Sequence, residues 1–259
     1  MLRLYKQEVF KLLKKRSTLI LVVLLVMQNI VFAIFADVDS THFIPKRLFI
    51  ANFSTSSYLT LVMIAAAAAI ITSEFEYDTL KNLVPHATSR QAIIISKWLA
   101  ILTYSLGLYL LISLLSLLNK FLFFNQTFAL TDKIAGMKIP IWQQWLITIA
   151  GGYVNLWLIL SLVFLIAAAL KKSSTAISLG IVGYFSLTII GTLMFQLIKK
   201  WEFLKWNPLN FLNYPSQLIF PQIVGKMTRL STTQLLWGNL VYIMIFLGIG
   251  LYFFSRKEA

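Results

Sequence analysis

Cysteine is absent from the 259 residues, and histidine occurs only as His42 and His86. Without thiols the chain has no disulfide, no thiolate metal site and no cysteine nucleophile. Two histidines so far apart in sequence do not make a zinc site. Neither begins H-E-x-x-H, the pattern an intramembrane metalloprotease would need. Charge is scarce as well. Asp, Glu, Lys and Arg make up 12% of the chain, about half the roughly 25% of a soluble domain. Acids are the scarcest, nine against 23 bases, which leaves a net charge of +14. The phosphate-cradling pattern G-x-x-x-x-G-K-[ST] is also missing; Gly225-Lys226 lacks both the upstream glycine and the adjoining hydroxyl residue.

What is present is apolar: 59% of residues, with a mean hydropathy of +0.80. This composition predicts an all-α integral membrane protein, and it decides against a nucleic-acid binder despite the basic balance. Six apolar segments stand out, at 17–36, 57–73, 91–118, 144–170, 175–198 and 233–254. At 1.5 Å per residue each is near or above the roughly 30 Å of a bilayer core. The second is marginal and is expected to extend upstream through "LFIANFSTSS". The first is too long for a signal-peptide core. With the N-terminus inside, thirteen Lys and Arg fall on the inner side and ten on the outer. The basic prelude and the tight Lys171-Lys172 loop count most in that comparison. Both termini are therefore expected in the cytoplasm, with 119–143 and 199–232 outside. Lysine outnumbers arginine 17 to 6, a bias that fits an AT-rich bacterial genome. With no internal repeat and no low-complexity linker, residues 1–259 form one membrane domain.

Residues 1–16, "MLRLYKQEVFKLLKKR", place Leu2, Tyr5, Val9 and Leu12 on one helical stripe, with lysines and Arg3 around the remainder. This pattern predicts an amphipathic elbow helix lying in the interface; the alternative is a solvated basic tail. In 199–232, Trp201, Trp206, Phe211, Tyr214 and Phe220 alternate with Lys, Asn and Pro. That mixture predicts short interfacial helices broken at Pro208, Pro215 and Pro221. Small residues at Ala65–Ala69, Gly151-Gly152, Gly180, Gly183, Gly248 and Gly250 predict close helix packing.

One stretch stands apart: "SEFEYDTLKNLVPHATSRQAIIISKW", residues 73–98. An acid or base at bilayer depth costs about 2.5–3.5 kcal/mol, so Glu74–Lys97 is expected at the cytoplasmic surface. Ser73 with Glu76 fits a capping box and predicts a helix beginning at Glu74. Acids at 74, 76 and 78 would then favour its dipole. Pro85 and His86 end it, and Thr88 with Gln91 begins the third span. The expected element is a short amphipathic helix over 74–84 between the second and third spans; the alternative is a solvated loop. The span interiors are read as free of ionisable groups. Proton- or sodium-coupled transport usually needs such groups at depth, so energy is expected to enter from outside the bilayer.

The stretch resembles the signature of ABC exporter permeases of the type-2 membrane family, through Glu74 or Glu76, Thr79, Leu80, Ser89, Arg90 and Lys97. Asp78 stands where that family has Gly before Thr. The layout of elbow, six spans and coupling helix is similar over the whole chain. The resemblance implies a half-size permease in the plasma membrane, paired with a second copy or a paralogue. Its power would come from separate ATP-binding-cassette ATPase subunits that bind ATP and Mg, with no cofactor in this chain. It makes Glu74, Glu76, Asp78 and Lys81 the polar ATPase contacts, and Phe75, Tyr77 and Leu80 the apolar ones, around Thr79. The implied substrate is amphipathic: a peptide, an antimicrobial or a lipid-like molecule. A non-transporting membrane scaffold and an intramembrane enzyme are the alternatives.

Overall fold

A computed structural model describes residues 1–76, 90–134 and 139–256. Among them no strand forms, only a single antiparallel bridge between Lys133 and Pro140. The helices are α1 (Leu2–Lys14), α2 (Arg16–Val38), α3 (Pro45–Ile50), α4 (Thr55–Glu76), α5 (Arg90–Phe123), α6 (Ile141–Ala169), α7 (Ser173–Lys200), α8 (Pro208–Phe211), α9 (Tyr214–Ile219), α10 (Pro221–Thr228) and α11 (Thr232–Arg256). Six of them, α2, α4, α5, α6, α7 and α11, are long and apolar enough to cross a membrane. They match the six segments read from the sequence, with ends displaced by a few residues.

The core lies where α4, α5, α6 and α11 meet, around Met63, Ile64, Ile101, Leu160 and Phe164. Glycine sets the crossing of α7 on α4. A Cβ at Gly180 would stand 2.7 Å from Ile64 Cγ2, so a larger residue would push the two helices apart. A Cβ at Gly250 would make only an ordinary contact with the Leu165 backbone, at 3.5 Å. Gly183 and Gly248 serve no such crossing, since a Cβ there would meet nothing within 4 Å.

Helix α1 forms where an elbow helix was expected, with a different inward face. Glu8 and Leu12 are buried and Tyr5 and Val9 half-buried, while Leu2 is 67% exposed and leaves the stripe. Tyr5 Oη donates to Thr103 Oγ1 (3.1 Å), laying α1 along α5.

The second span extends upstream only as far as Thr55, where α4 begins. Asn52, Phe53 and Ser54 have φ of 50°, 49° and 62°, and three left-handed residues in a row stop a right-handed helix. Buried amides hold this turn. Asn29 Nδ2 on α2 donates to Asn52 O (3.0 Å) and Thr55 Oγ1 (2.7 Å), and Trp145 Nε1 donates to Asn52 Oδ1 (2.9 Å). Asn119 on α5 donates to Asn29 Oδ1 (2.9 Å). The span also lengthens at its other end, to Glu76.

In 199–232 the three prolines begin helices rather than break them. Pro208, Pro215 and Pro221 each sit in the first turn of α8, α9 or α10, where the missing N–H has no intrahelical partner to lose. Trp201, Trp206 and Phe220 are exposed as interfacial aromatics would be, but Phe211 and Tyr214 are buried. Asn210 and Gln217 tie this region together through the backbone of Lys205, Thr228 and Leu230.

Candidate functional site

Helix α4 runs through the position where a new helix was expected to start. The Ser73 hydroxyl donates back to Ile70 O (3.4 Å) within α4, so Ser73 is not an N-cap. The apolar run before it holds no breaker, and the acids that follow find partners that let the helix continue. Its last described residues, Glu74, Phe75 and Glu76, turn to different neighbours.

Glu74 turns inward and is 3% exposed. Its Oε1 receives Lys97 Nζ at 2.7 Å, and Lys97, on α5, is fully buried. Lys97 also reaches Glu8 Oε2 on α1 at 3.1 Å. Lys11 closes the arrangement, 2.9 Å from Glu8 and 3.7 Å from Glu74. Among the described residues, two acids and two bases thus alternate. Such a set is tolerated away from water only because each member is paired. Burial alone would lower the Lys11 pKa; the Glu8 and Glu74 carboxylates outweigh it and hold that ammonium above its ordinary value.

Phe75 is packed edge-on against Phe254 of α11, with ring centroids 5.3 Å apart. Glu76 is exposed, and its Oε2 accepts the backbone N–H of Ser173 at 3.1 Å. A carboxylate at the first N–H of α7 satisfies a donor that helix cannot use and meets the positive end of its dipole. Thr72 Oγ1 donates to Ser173 Oγ beside it (2.9 Å). The end of α4 is therefore a junction joined to α1, α5, α7 and α11, and it lies at the same end of the molecule as α1 and the close of α11. The remaining predicted contacts, Tyr77, Asp78, Thr79, Leu80 and Lys81, lie outside the described residues, as do Thr88 and the rest of the expected 74–84 helix.

The buried charges overturn one reading of the sequence. The third span is not free of ionisable groups, because Lys97 sits within it at full burial. The signal was present: a lysine between Ile93–Ile95 and Leu99–Ile101, and in Glu8 the only acid of the first 36 residues. Opposite charges on otherwise apolar faces call for each other.

Beside the junction, α1, α2, α4, α5 and α7 enclose a cleft of about 500 Å³. Lys11, Lys15, Glu8, Glu76 and Ser173 line it at the junction, while Leu21, Val62, Ala65, Ala66, Ala69 and Ile177 line it further in. The alanines of α4 leave the space that larger side chains would fill. The buried Tyr104 hydroxyl also borders the cleft, with no hydrogen-bond partner among the described residues. A second hollow of about 360 Å³, between α5, α6 and α11, has an apolar lining around Trp98, Trp157 and Leu247. No group of three or more metal-ligating side chains comes together among the described residues.

The polar junction thus lies at one end of a core of six helices long and apolar enough to cross a membrane. The family model described as "ABC-2 family transporter protein" matches residues 4–191. The chain is also 24% identical to the "Uncharacterized membrane protein YdbK" of Bacillus subtilis (strain 168) over 209 residues, covering 80% of each chain. The matched region takes in α1, the left-handed turn, the junction and most of α7. The chain belongs to the ABC-2 transporter family, as the membrane component that works with an ABC ATPase subunit.

Proposed function

We propose that this chain is the permease half of an exporter that moves an amphipathic substrate, a peptide or lipid-like molecule, out of the cytoplasm or the inner leaflet of a bacterial plasma membrane. A second copy or a paralogue completes the pathway, and separate ATPase subunits bind ATP and Mg. The observation that carries the reading is the cleft: charged at the junction, apolar further in, and bordered by α2 and α7, whose other faces are broadly exposed. An amphipathic molecule can leave its head among Lys11 and Lys15 and its apolar part along the alanines of α4. The junction end faces the cytoplasm in this reading, because the basic prelude lies there. The ATPase docks on 74–84, using Tyr77, Asp78, Thr79, Leu80 and Lys81, with Glu76 at the edge. Glu74 and Phe75 hold the base of that segment from inside.

The test is transport. The chain is purified together with the ATPase that accompanies it from native membranes and is placed in lipid vesicles. ATP-dependent movement of a fluorescent cationic amphipathic peptide or a short-chain fluorescent phospholipid is then followed. Ala66→Trp, which fills the cleft, should remove movement and leave ATPase association intact. Movement of both probes at the unaltered rate in Ala66→Trp would refute the cleft as the route. Hydrolysis with no movement of either probe would refute the substrate class.

A further inference from the structure

We propose that Lys97 is the positioning residue through which the connection between α4 and α5 controls the wall of the cleft. The inference rests on the permease reading above. Residues 74 and 97 stand on either side of that connection, and their side chains meet at 2.7 Å with almost no exposure. The same ammonium reaches Glu8 at 3.1 Å, and Glu8, Lys11 and Leu12 of α1 form part of the cleft lining. A shift of the two ends of the connection therefore has to carry α1 with it or break the Lys97 pairs. Breaking them would strand a fully buried ammonium.

Tyr5 adds a second attachment at Thr103, further along α5. With two points of contact α1 follows α5 as a body. Lys11 cannot fill this role, since its side chain is 59% exposed and water can replace its partners. Lys97, at 0% exposure, has no such substitute. A structural staple would act alike in every nucleotide state, whereas a positioning residue should make the cleft respond to the nucleotide.

The chain contains no cysteine, so one introduced as Ala66→Cys on the cleft floor reports that response alone. The chain, with the ATPase that accompanies it, is placed in lipid nanodiscs and labelled with a small methanethiosulfonate reagent, with and without ATP and vanadate. The parent's labelling rate is expected to change at least about fivefold on trapping, and Lys97→Met to bring the change below about twofold. Lys97→Met could fail to fold, so the neutral triple Glu8→Gln, Glu74→Gln, Lys97→Met is measured beside it. Removing the buried full charges together avoids a stranded ion. The triple should fold, bind the ATPase and still lose the response, while Lys97→Arg should retain much of it. A folded triple that responds like the parent overturns the proposal, and so does a parent that hydrolyses ATP with no change in labelling. Absence of any accompanying ATPase strikes the permease reading itself, and the proposal with it.

Discussion

Removing Lys97 alone should destabilise the chain far more than removing the whole charged set. At an effective dielectric of about 20, the 2.7 Å contact with Glu74 and the 3.1 Å contact with Glu8 are each worth roughly 5–6 kcal/mol of gross attraction. Desolvation of three buried ions offsets most of this, so the pairs add little net stability over a neutral core of equal shape. Lys97→Met removes the attraction and leaves the desolvation of Glu8 and Glu74 in place, with half-exposed Lys11 as their nearest described base. Breaking one partner of a buried pair costs about 3–5 kcal/mol, and Glu74→Gln should fall in the same range. The neutral triple should lie within about 2 kcal/mol of the unaltered chain, since buried ionic sets are often replaceable as a whole. Additivity would instead predict a loss well above about 6 kcal/mol, so the coupling is large and of known sign. Reversible unfolding in mixed detergent micelles, followed by tryptophan fluorescence, measures all three variants. The reasoning fails if Lys97→Met loses less than about 1 kcal/mol, or if the triple is as unstable as the singles added together.

Three further outcomes follow from the packing and the layout. Gly180→Leu should cost about 1–3 kcal/mol by overpacking against Ile64, while Gly183→Ala should change little; equal thermal shifts for the two in detergent would contradict the crossing described for α4 and α7. Asn29→Ala strips donors from Asn52 and Thr55 and an acceptor from Asn119, so it should cost about 3 kcal/mol, and enhanced proteolysis near residues 50–56 is the check. Cysteines at 171 or 172 should resist an impermeant thiol reagent in intact cells while one at 203 reacts; labelling of 171 from outside would reverse the orientation.

The membrane spans were legible because length and apolarity suffice to mark them: nothing in 17–36 or 175–198 competes with a helix. The helix ends were less legible, because local signals there are decided by distant partners. Ser73 and Glu76 satisfy a capping box by spacing, yet Glu76 caps Ser173 of another helix and Ser73 bonds within its own. The left-handed turn at 52–54 has no glycine to announce it; Asn29 and Trp145, far away in sequence, hold it. The three prolines of the 199–232 segment marked helix ends correctly but on the wrong side, since proline is compatible with a first turn as well as with a stop. In the charged junction the sequence showed the acids of 74–76. It did not show that Glu74 is turned inward, because Lys97 read as one of the charges at the surface and Glu8 as part of the polar face of the first helix.

Helix α4 is fastened at both ends, by the amide-held turn before Thr55 and by the junction with four other helices at Glu74–Glu76. Its 22 residues span about 33 Å at 1.5 Å per residue, close to the roughly 30 Å of hydrocarbon in a bilayer. It therefore works as a ruler inside the molecule. A thicker or thinner membrane can be met by tilting the whole bundle, but not by letting α4 slide or unwind. Its register is equally constrained. Inserting one residue between the two fastenings turns the lower end by about 100° and brings Ser73, in place of Glu74, to face Lys97. Insertions and deletions should therefore be excluded from 55–76 and collect elsewhere in the chain.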